Sequence, residues 1–425
     1  MLSVETINKI IGVDESFLAP IELQKILNDS TKRVEVFREF LKHENNLNFD
    51  WFTDYFQEEH SDRKNKKQDF TPDGIVKLVS SLLGDFKTNV DICAGTGGLT
   101  IKRWFEDHNG YFYCEEFSDR AMPFLLFNLM IRNVNAVVFH GDSLTRKVKH
   151  IYKLTSGDEF SDLVEIDQLP DVKGDTVIMN PPYSLKWDPK DEMLEEPRFK
   201  QFKVLAPKGK ADYAFILQGL DRLNDNGMMA IILPHGVLFR GQREEKIRRQ
   251  LIDLNWLDAV IGLPEKAFLN TDIPTVILVF KKKRQNRDVL FIDASKGFTK
   301  DKSHNRLEDK HIQKILQAYR NRHDIDKFSH VASLSEVQEN EYNLNIPRYV
   351  DTFEPEPVKP LHEIMGEMKE LDAEIEHNAQ ELGAMMQELR GTNPESDREI
   401  KAFTNYWVTK YGTGKPKRKE QLSLL

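Results

Sequence analysis

The chain has 425 residues, a formal net charge of −9 and only two cysteines, Cys93 and Cys114. That length accommodates one large domain with one or two smaller ones, and the acidic balance argues against a protein that grips nucleic acid by itself. Two cysteines, both expected at strand ends, do not imply a disulfide framework or a zinc site, so no metal is expected; without a long apolar run or a signal peptide, the chain is expected in the cytoplasm with no membrane contact.

Residues 1–68 carry amphipathic helical stretches, such as Val34, Phe37, Phe40 and Leu41, and end in a charged linker from Glu58 to Lys67. From residue 69 to about 350, strands alternate with helical patterns, which predicts an α/β domain whose mostly parallel sheet is covered on both faces. The first strand, residues 89–93, runs straight into Ala94-Gly95-Thr96-Gly97-Gly98-Leu99. Glycines at a strand-to-helix turn let backbone amides approach a ligand and aim a helix N-terminus at it. Thr100 stands where the dinucleotide fingerprint has its third glycine, and no Lys-Ser/Thr pair follows as in a phosphate-binding P-loop.

The second strand, residues 111–114, ends in Glu115-Glu116, and a carboxylate there is placed to accept hydrogen bonds from a ribose diol. A third strand, residues 136–140, ends in Gly141-Asp142. The fourth, Thr176-Val177-Ile178-Met179, is short, β-branched and apolar, and it leads into Asn180-Pro181-Pro182-Tyr183. Two successive prolines cannot donate to a ladder and hold the chain in a stiff, extended bend at the carboxyl edge of the sheet. The bend sets the Asn180 amide oxygen and the Pro181 carbonyl side by side, two acceptors that suit a substrate –NH2 group, with the Tyr183 ring free to cover a planar base. An isolated Asn-Pro-Pro-Tyr is as readily a Pro-rich turn; its place in this strand order gives it weight. Further strands are expected at residues 228–232, 259–261 and 275–280, the last as an antiparallel edge member.

Basic clusters at Arg63 to Lys67, Lys281 to Arg284 and Lys415 to Lys419 read first as solvated linkers or tails. Beyond Pro360 the pattern changes. Leu361, Ile364, Met368, Leu371, Ile375, Leu382, Met385 and Leu389 recur at steps of three and four, with Asn378 in one core position. Such a seam belongs to a helix that pairs with a partner or lies back on its own domain. The Pro-rich approach Glu354-Pro355-Glu356-Pro357 favours a projecting arm, and the Lys-rich stretch from Gly412 to Leu425 is expected to be disordered.

In these residues and in this order, the chain resembles the S-adenosylmethionine-dependent amino-methyltransferases of DNA, and more closely the modification subunit of type I restriction-modification systems. Gln68-Asp69-Phe70-Thr71-Pro72-Asp73 matches that family's cofactor segment, although Asp69 replaces its usual aromatic or glycine. Asp91 to Gly98 matches the Gly-rich loop, and Glu116 followed by Asn128 matches the family's acid-to-Asn spacing, which favours Glu116 over Glu115. Asp142 lies in a Gly-Asp-Ser-Leu segment, and the stretches 211–215, 233–239 and 341–345 also look like that subunit.

The resemblance implies a Rossmann-like S-adenosylmethionine-dependent methyltransferase sheet at 69–350, a helical N-terminal region at 1–68 and a long C-terminal helical arm with its tail at 351–425. It assigns S-adenosylmethionine to Gln68, Asp69, Phe70, Thr71, Pro72, Asp73, Asp91, Ala94, Gly95, Thr96, Gly97, Gly98, Glu116 and Asp142. It assigns catalysis to Asn180, Pro181, Pro182 and Tyr183, acting on the amine of an extruded adenine in double-stranded DNA. The insert at 184–210 is too small to read a DNA sequence. A separate specificity subunit is therefore implied, with two modification subunits bound to it, together with a restriction subunit. Rival readings are a methyltransferase of a protein glutamine amide, which suits the same clamp, a stand-alone DNA amino-methyltransferase, and a non-catalytic scaffold that has kept the fold.

Overall fold

The computed structural model describes residues 2–53, 55–56, 71–268, 273–301, 304–353 and 359–412. Gln68, Asp69 and Phe70, the linker from Glu58, the clusters Arg63 to Lys67 and Lys415 to Lys419, the Pro-rich approach at 354–357 and the tail from residue 413 lie outside them. Residues Met1–Thr352 form one compact unit and Phe353–Leu425 a second.

The first unit is built on one large sheet. Its strands in chain order are β1 (Thr88–Ile92), β2 (Tyr111–Glu116), β3 (Asn135–Gly141), β4 (Val148–Ser156), β5 (Ser161–Glu165), β6 (Gly174–Met179), β7 (Leu223–Pro234), β8 (Leu257–Gly262), β9 (Thr275–Lys281) and β10 (Val289–Asp293). A small separate ladder of β11 (Thr299–Asp301) and β12 (His304–Arg306) precedes β13 (Ser329–Ala332). Among the described residues the sheet has 11 strands, in the order β13-β10-β8-β9-β7-β6-β1-β2-β3-β4-β5.

The run from β7 through β6, β1 and β2 to β3 is parallel, as the buried, β-branched strands predict. Because β1 pairs with β2 on one side and β6 on the other, connections leave it in opposite directions and open a crevice at their carboxyl ends. Ala94, Asp142 and Asn180 follow strands that end on that edge, and Glu116 is the last residue of another.

Strand β9 is antiparallel, as expected, but it is not an edge. It lies between β7 and β8, with Ile231↔Leu278 on one flank and Val260↔Leu278 on the other. Its run Thr275 to Phe280 is wholly buried, which a solvent-facing edge would not tolerate. The true edges lie elsewhere: β13 on one side, and on the other a β4–β5 hairpin whose mostly polar strands gave no apolar pattern to read.

Helices cover both faces. They are α1 (Val4–Ile11), α2 (Ala19–Asn28), α3 (Ser30–His43), α4 (Asp73–Leu83), α5 (Gly98–Glu106), α6 (Met122–Ile131), the short α7 (Pro197–Lys200), α8 (Asp212–Arg222), α9 (Arg243–Asp253), α10 (Asp309–Asn321) and α11 (Leu334–Glu339). Helices α4 and α10 bury Leu78, Val79, Ile312 and Ile315 on one face, and α8 and α9 bury Ile216, Leu220, Ile247 and Leu251 on the other.

The N-terminal helices do not stand apart from this core. Phe37 and Phe40 meet Phe127 of α6 at ring-centroid distances of 4.8 and 5.0 Å, and Phe52 meets Phe124 at 4.8 Å. Aromatic pairs of this kind add about 0.5–1.5 kcal/mol each beyond their buried area. No helix among the described residues is long and apolar enough to cross a membrane.

The second unit is a helical hairpin of α12 (Leu361–Gln387) and α13 (Pro394–Tyr411). Helix α13 is capped by Asn393, which accepts from Glu395 N and Ser396 N at 3.1 and 2.8 Å. It packs on Ala379, Gly383 and Met386, and the Trp407 indole donates to the Ala379 carbonyl at 2.8 Å. That stripe is not the apolar seam: Leu361, Ile364, Met368, Leu371, Ile375, Leu382, Met385 and Leu389 are all exposed. The seam is thus carried by the first helix of a pair, and α13 had no counterpart in the heptad pattern.

Candidate active site

A cavity of about 350 Å³ opens at the crevice between β1 and β6. One end is made by the turn from β1 into α5. The backbone there is left-handed at Cys93, Gly95 and Gly97, with φ of 67°, 60° and 100°. At Gly97 a side chain would be strained by the left-handed φ and would press on Leu125, whose Cδ1 lies 3.0 Å from where a Cβ would sit. The turn carries the backbone of Ala94, Gly95 and Gly98 to the cavity wall.

Strand alternation settles which carboxylate of β2 faces the cavity. Glu116 lines it, accepting from Gly95 N at 2.8 Å and from Ser118 N at 2.7 Å. Glu115 points the other way and is fully buried, where Arg146 reaches both its oxygens at 2.8 Å and the Tyr113 hydroxyl donates at 2.8 Å. Asp142 also lines the cavity and accepts from Leu144 N at 2.8 Å, which closes a tight turn after β3.

Asp91 lies beneath this floor without reaching it. The Thr100 hydroxyl donates to Asp91 Oδ2 at 2.6 Å, Oδ1 has no partner, and burial, aided by the Glu116 charge, pushes the carboxyl up to about 7. A folded pKa above the ordinary 3.8 means that this group's stabilising share is complete below about pH 4 and is lost as pH rises through 7. Asp91→Asn escapes that loss. Its stability relative to the natural protein should therefore rise between pH 4 and 7, by on the order of 4 kcal/mol, and level off above. Urea melts across that range check it; a difference independent of pH would show that Asp91 keeps its charge.

The other end of the cavity is Asn180, Pro181, Pro182 and Tyr183. The Asn180 amide is engaged at both ends: Nδ2 donates to Thr71 Oγ1 at 3.0 Å, and the Tyr183 hydroxyl donates to Oδ1 at 2.9 Å. Phe268 stands edge-on to the Tyr183 ring, with centroids 6.0 Å apart. The bend is pinned from behind. Ser184, left-handed at φ 50°, donates its N–H to Asp212 at 2.8 Å, and Asp212 is ion-paired with Arg240 at 2.9 Å.

The structure gathers Thr71, Ala94, Gly95, Gly98, Glu116, Asp142 and all four residues of the Asn-Pro-Pro-Tyr bend around one cavity. Other residues of the matched segments stand behind it. Pro72 is the N-cap residue of α4, and Asp73 in its first turn pairs with Lys77 at 3.0 Å. Thr96 is fully buried behind the turn, where its hydroxyl donates to Asp50. Asn128 likewise touches the back of the turn, donating to the Thr96 carbonyl at 2.8 Å.

Several contributors carried no signal in the sequence. Thr53 and Phe56, from the N-terminal region, complete the wall. Phe117 follows Glu116 on the rim with Lys149 over its ring at 4.3 Å. The insert at 184–210 is a packed lobe: it buries Trp187, Met193, Phe199 and Phe202. Its Arg198 donates to the Ser143 carbonyl at 3.1 Å and to Gln218 at 2.7 Å, bracing the turn that holds Asp142.

The cavity offers an acid with hydroxyl-accepting capacity at one end and an oxygen acceptor beside an aromatic ring at the other. Between them lies a mostly apolar wall that includes Leu99, Ala121 and Phe215. Comparison with known proteins gives this arrangement a context. The family model described as N-6 DNA Methylase matches residues 48–357. The chain is 30% identical over 350 residues to the type I restriction enzyme MpnII methylase subunit of Mycoplasma pneumoniae, covering 78% of this chain and 60% of that protein. It is 29% identical to the MjaVII methylase subunit of Methanocaldococcus jannaschii, covering 76% and 56%. It thus spans less than two thirds of the length of these relatives. Among solved structures, a type I restriction-modification methyltransferase subunit from Streptococcus thermophilus superposes with a TM-score of 0.63 at 33% identity, covering 82% of this chain and 79% of that one.

Proposed function

The chain belongs to the N-6 DNA methylase family, and from that premise we propose that it transfers a methyl group from S-adenosylmethionine to the exocyclic amine of adenine in double-stranded DNA, as the modification subunit of a type I restriction-modification complex. The observation that carries this reading is that one cavity joins the Glu116 end to the Asn180–Tyr183 end. The residues at the first end fit the cofactor. Glu116 has its carboxylate oriented by two backbone amides and suits a ribose diol, Phe117 and Ala121 suit an adenine ring, and Gly95 and Gly98 admit close approach of the backbone. When bound, S-adenosylmethionine supplies an electrophilic methyl group on a sulfonium.

At the second end the protein's own groups act on the target. An adenine amine is hidden in its base pair, so the base must leave the duplex to reach this pocket. Tyr183, with Phe268 beside it, offers an apolar surface for the extruded ring. The Asn180 oxygen and the Pro181 carbonyl accept the two amine hydrogens and draw electron density onto a nitrogen that is otherwise a poor nucleophile. The Tyr183 hydroxyl holds that acceptor in the free protein, so the incoming amine replaces one donor by another. Thr71, bonded to Asn180 Nδ2, keeps the amide turned with its oxygen toward the ring. The work of the site is positioning, with no covalent intermediate, and neither cysteine takes part.

Sequence reading falls to a specificity subunit, with two modification subunits to each, and cleavage to a restriction subunit. The exposed seam of α12 is the part of this chain suited to docking on that specificity partner. Leu371→Glu with Ile375→Glu should abolish co-purification with it, because an unpaired charge cannot be buried in a packed apolar seam, while the first unit's melting is unchanged. Assembly of the doubly charged variant would remove the arm from the reading. The function itself is tested by long-read sequencing of DNA from cells carrying the whole system. N6-methyladenine at a fixed sequence is expected, and its absence in active, assembled complexes would defeat the proposal.

A further inference from the structure

Asp50 belongs to none of the motifs, yet it sits where the N-terminal region meets the Gly-rich turn. It is partly buried, and both of its oxygens are taken up by donors from the protein. Oδ1 accepts from Phe52 N at 2.9 Å and from Asn128 Nδ2 at 2.7 Å. Oδ2 accepts from the Thr53 hydroxyl at 2.9 Å and from the Thr96 hydroxyl. Thr96 is the central residue of the turn, fully buried, and its carbonyl accepts from the same Asn128 amide at 2.8 Å. The turn is thus held from behind by a closed triangle of Asp50, Thr96 and Asn128.

The segment that carries Asp50 is fixed in its turn. Arg132 donates to the carbonyls of Leu47 and Phe49 at 2.9 and 2.7 Å and to the Asn128 side-chain oxygen at 2.9 Å, and its guanidinium lies 4.5 Å from the centre of the Trp51 ring. Three residues beyond Asp50 the chain enters the cavity wall with Thr53, and then with Phe56. One short stretch therefore both braces the turn and supplies a side of the pocket. Gly95 and Gly97 take their left-handed backbone freely, but Cys93, at φ 67°, does not, and the surrounding contacts must hold it there.

We propose that Asp50 is a positioning residue for the cofactor: through Thr96 it sets the Gly95–Gly98 backbone at the spacing that S-adenosylmethionine requires, which makes residues 47–56 a working part of the cofactor pocket. This rests on the functional reading above. Thr96 gives the cleanest handle, because it does not line the cavity, so any effect on binding passes through the turn or through the wall segment that Asp50 anchors.

The experiment is calorimetric titration of the full chain with S-adenosylmethionine, alongside thermal melts of the free protein. Thr96→Val removes the hydroxyl and keeps the shape; it should weaken binding about tenfold or more, and Thr96→Ser should restore it. Asp50→Ala should weaken binding at least as much, and adding Thr96→Val to it should cost nothing further, because both remove one contact. A melting temperature that falls with an unchanged dissociation constant in Thr96→Val would overturn the inference and leave Asp50 a purely structural cap. If the natural protein binds S-adenosylmethionine and Thr96→Val binds it equally well, the inference alone fails. If the natural protein gives no binding at all, the functional reading and the inference fall together.

Discussion

Asn180→Ala is expected to lower methyl transfer by roughly two to three orders of magnitude while leaving the dissociation constant for S-adenosylmethionine within about twofold, as for removal of one pre-organised hydrogen-bonding group from a reacting centre. Among the described residues the amide bonds to Thr71 and the Tyr183 hydroxyl, at the end of the cavity away from Glu116 and the Gly-rich turn. Its loss removes the acceptor for the target amine and frees the phenol without disturbing the far end of the cavity. Single-turnover transfer to DNA by the assembled complex, beside titration of the cofactor, measures both quantities. Equal losses in rate and in cofactor affinity would mean that Asn180 serves the cofactor and that the target clamp lies elsewhere.

Glu116→Ala should give the opposite pattern. Two hydroxyl contacts to a charged acceptor are worth about 1.5–3 kcal/mol each, so the cofactor should bind roughly a hundredfold to ten-thousandfold more weakly. The loss is compounded because the same carboxylate anchors the N–H groups of Gly95 and Ser118. Glu115→Ala is the informative contrast. It removes the carboxylate that pairs with half-buried Arg146 and should lower the melting temperature, with less direct effect on cofactor affinity. An unchanged affinity in Glu116→Ala would take the ribose contact out of this pocket.

The parts of the site that were legible in the sequence are those whose chemistry is local. The Asn180–Tyr183 bend is four consecutive residues after a β-branched strand, and the Gly-rich turn is five, so each carries its own geometry in its composition. Between Glu115 and Glu116 the sequence choice rested on the family's spacing to Asn128, because the pleat of β2 says only that the two face opposite ways. The brace was hidden because its members are scattered: Asp50 and Asn128 are 78 positions apart, and Thr71 and Asn180 are 109 apart. A lone Asp, Thr or Arg in such a stretch has many uses, and only packing selects one. The same holds for the sheet. The parallel order followed from alternation of strands and helices, but the place of β9 did not, since an apolar strand followed by lysines reads alike at an edge or in the middle. On α12 the heptad seam was plain, whereas the stripe that receives α13 has only one large apolar residue, Met386, beside Ala379 and Gly383, too little to register as a hydrophobic pattern.

The central position of β9 has a consequence for how the protein is made. Strands β7 and β8 do not touch; each is completed only by a strand that the ribosome delivers later, with Thr275 following the end of β7 at Pro234 by 41 positions. Until that segment emerges, two apolar strands wait with open edges on a nascent chain, and closing them requires long-range pairing, which is slow and prone to aggregation. A chain cut just after β8 should therefore be insoluble, whereas one extended through β9, β10, α10 and β13 should be far more soluble.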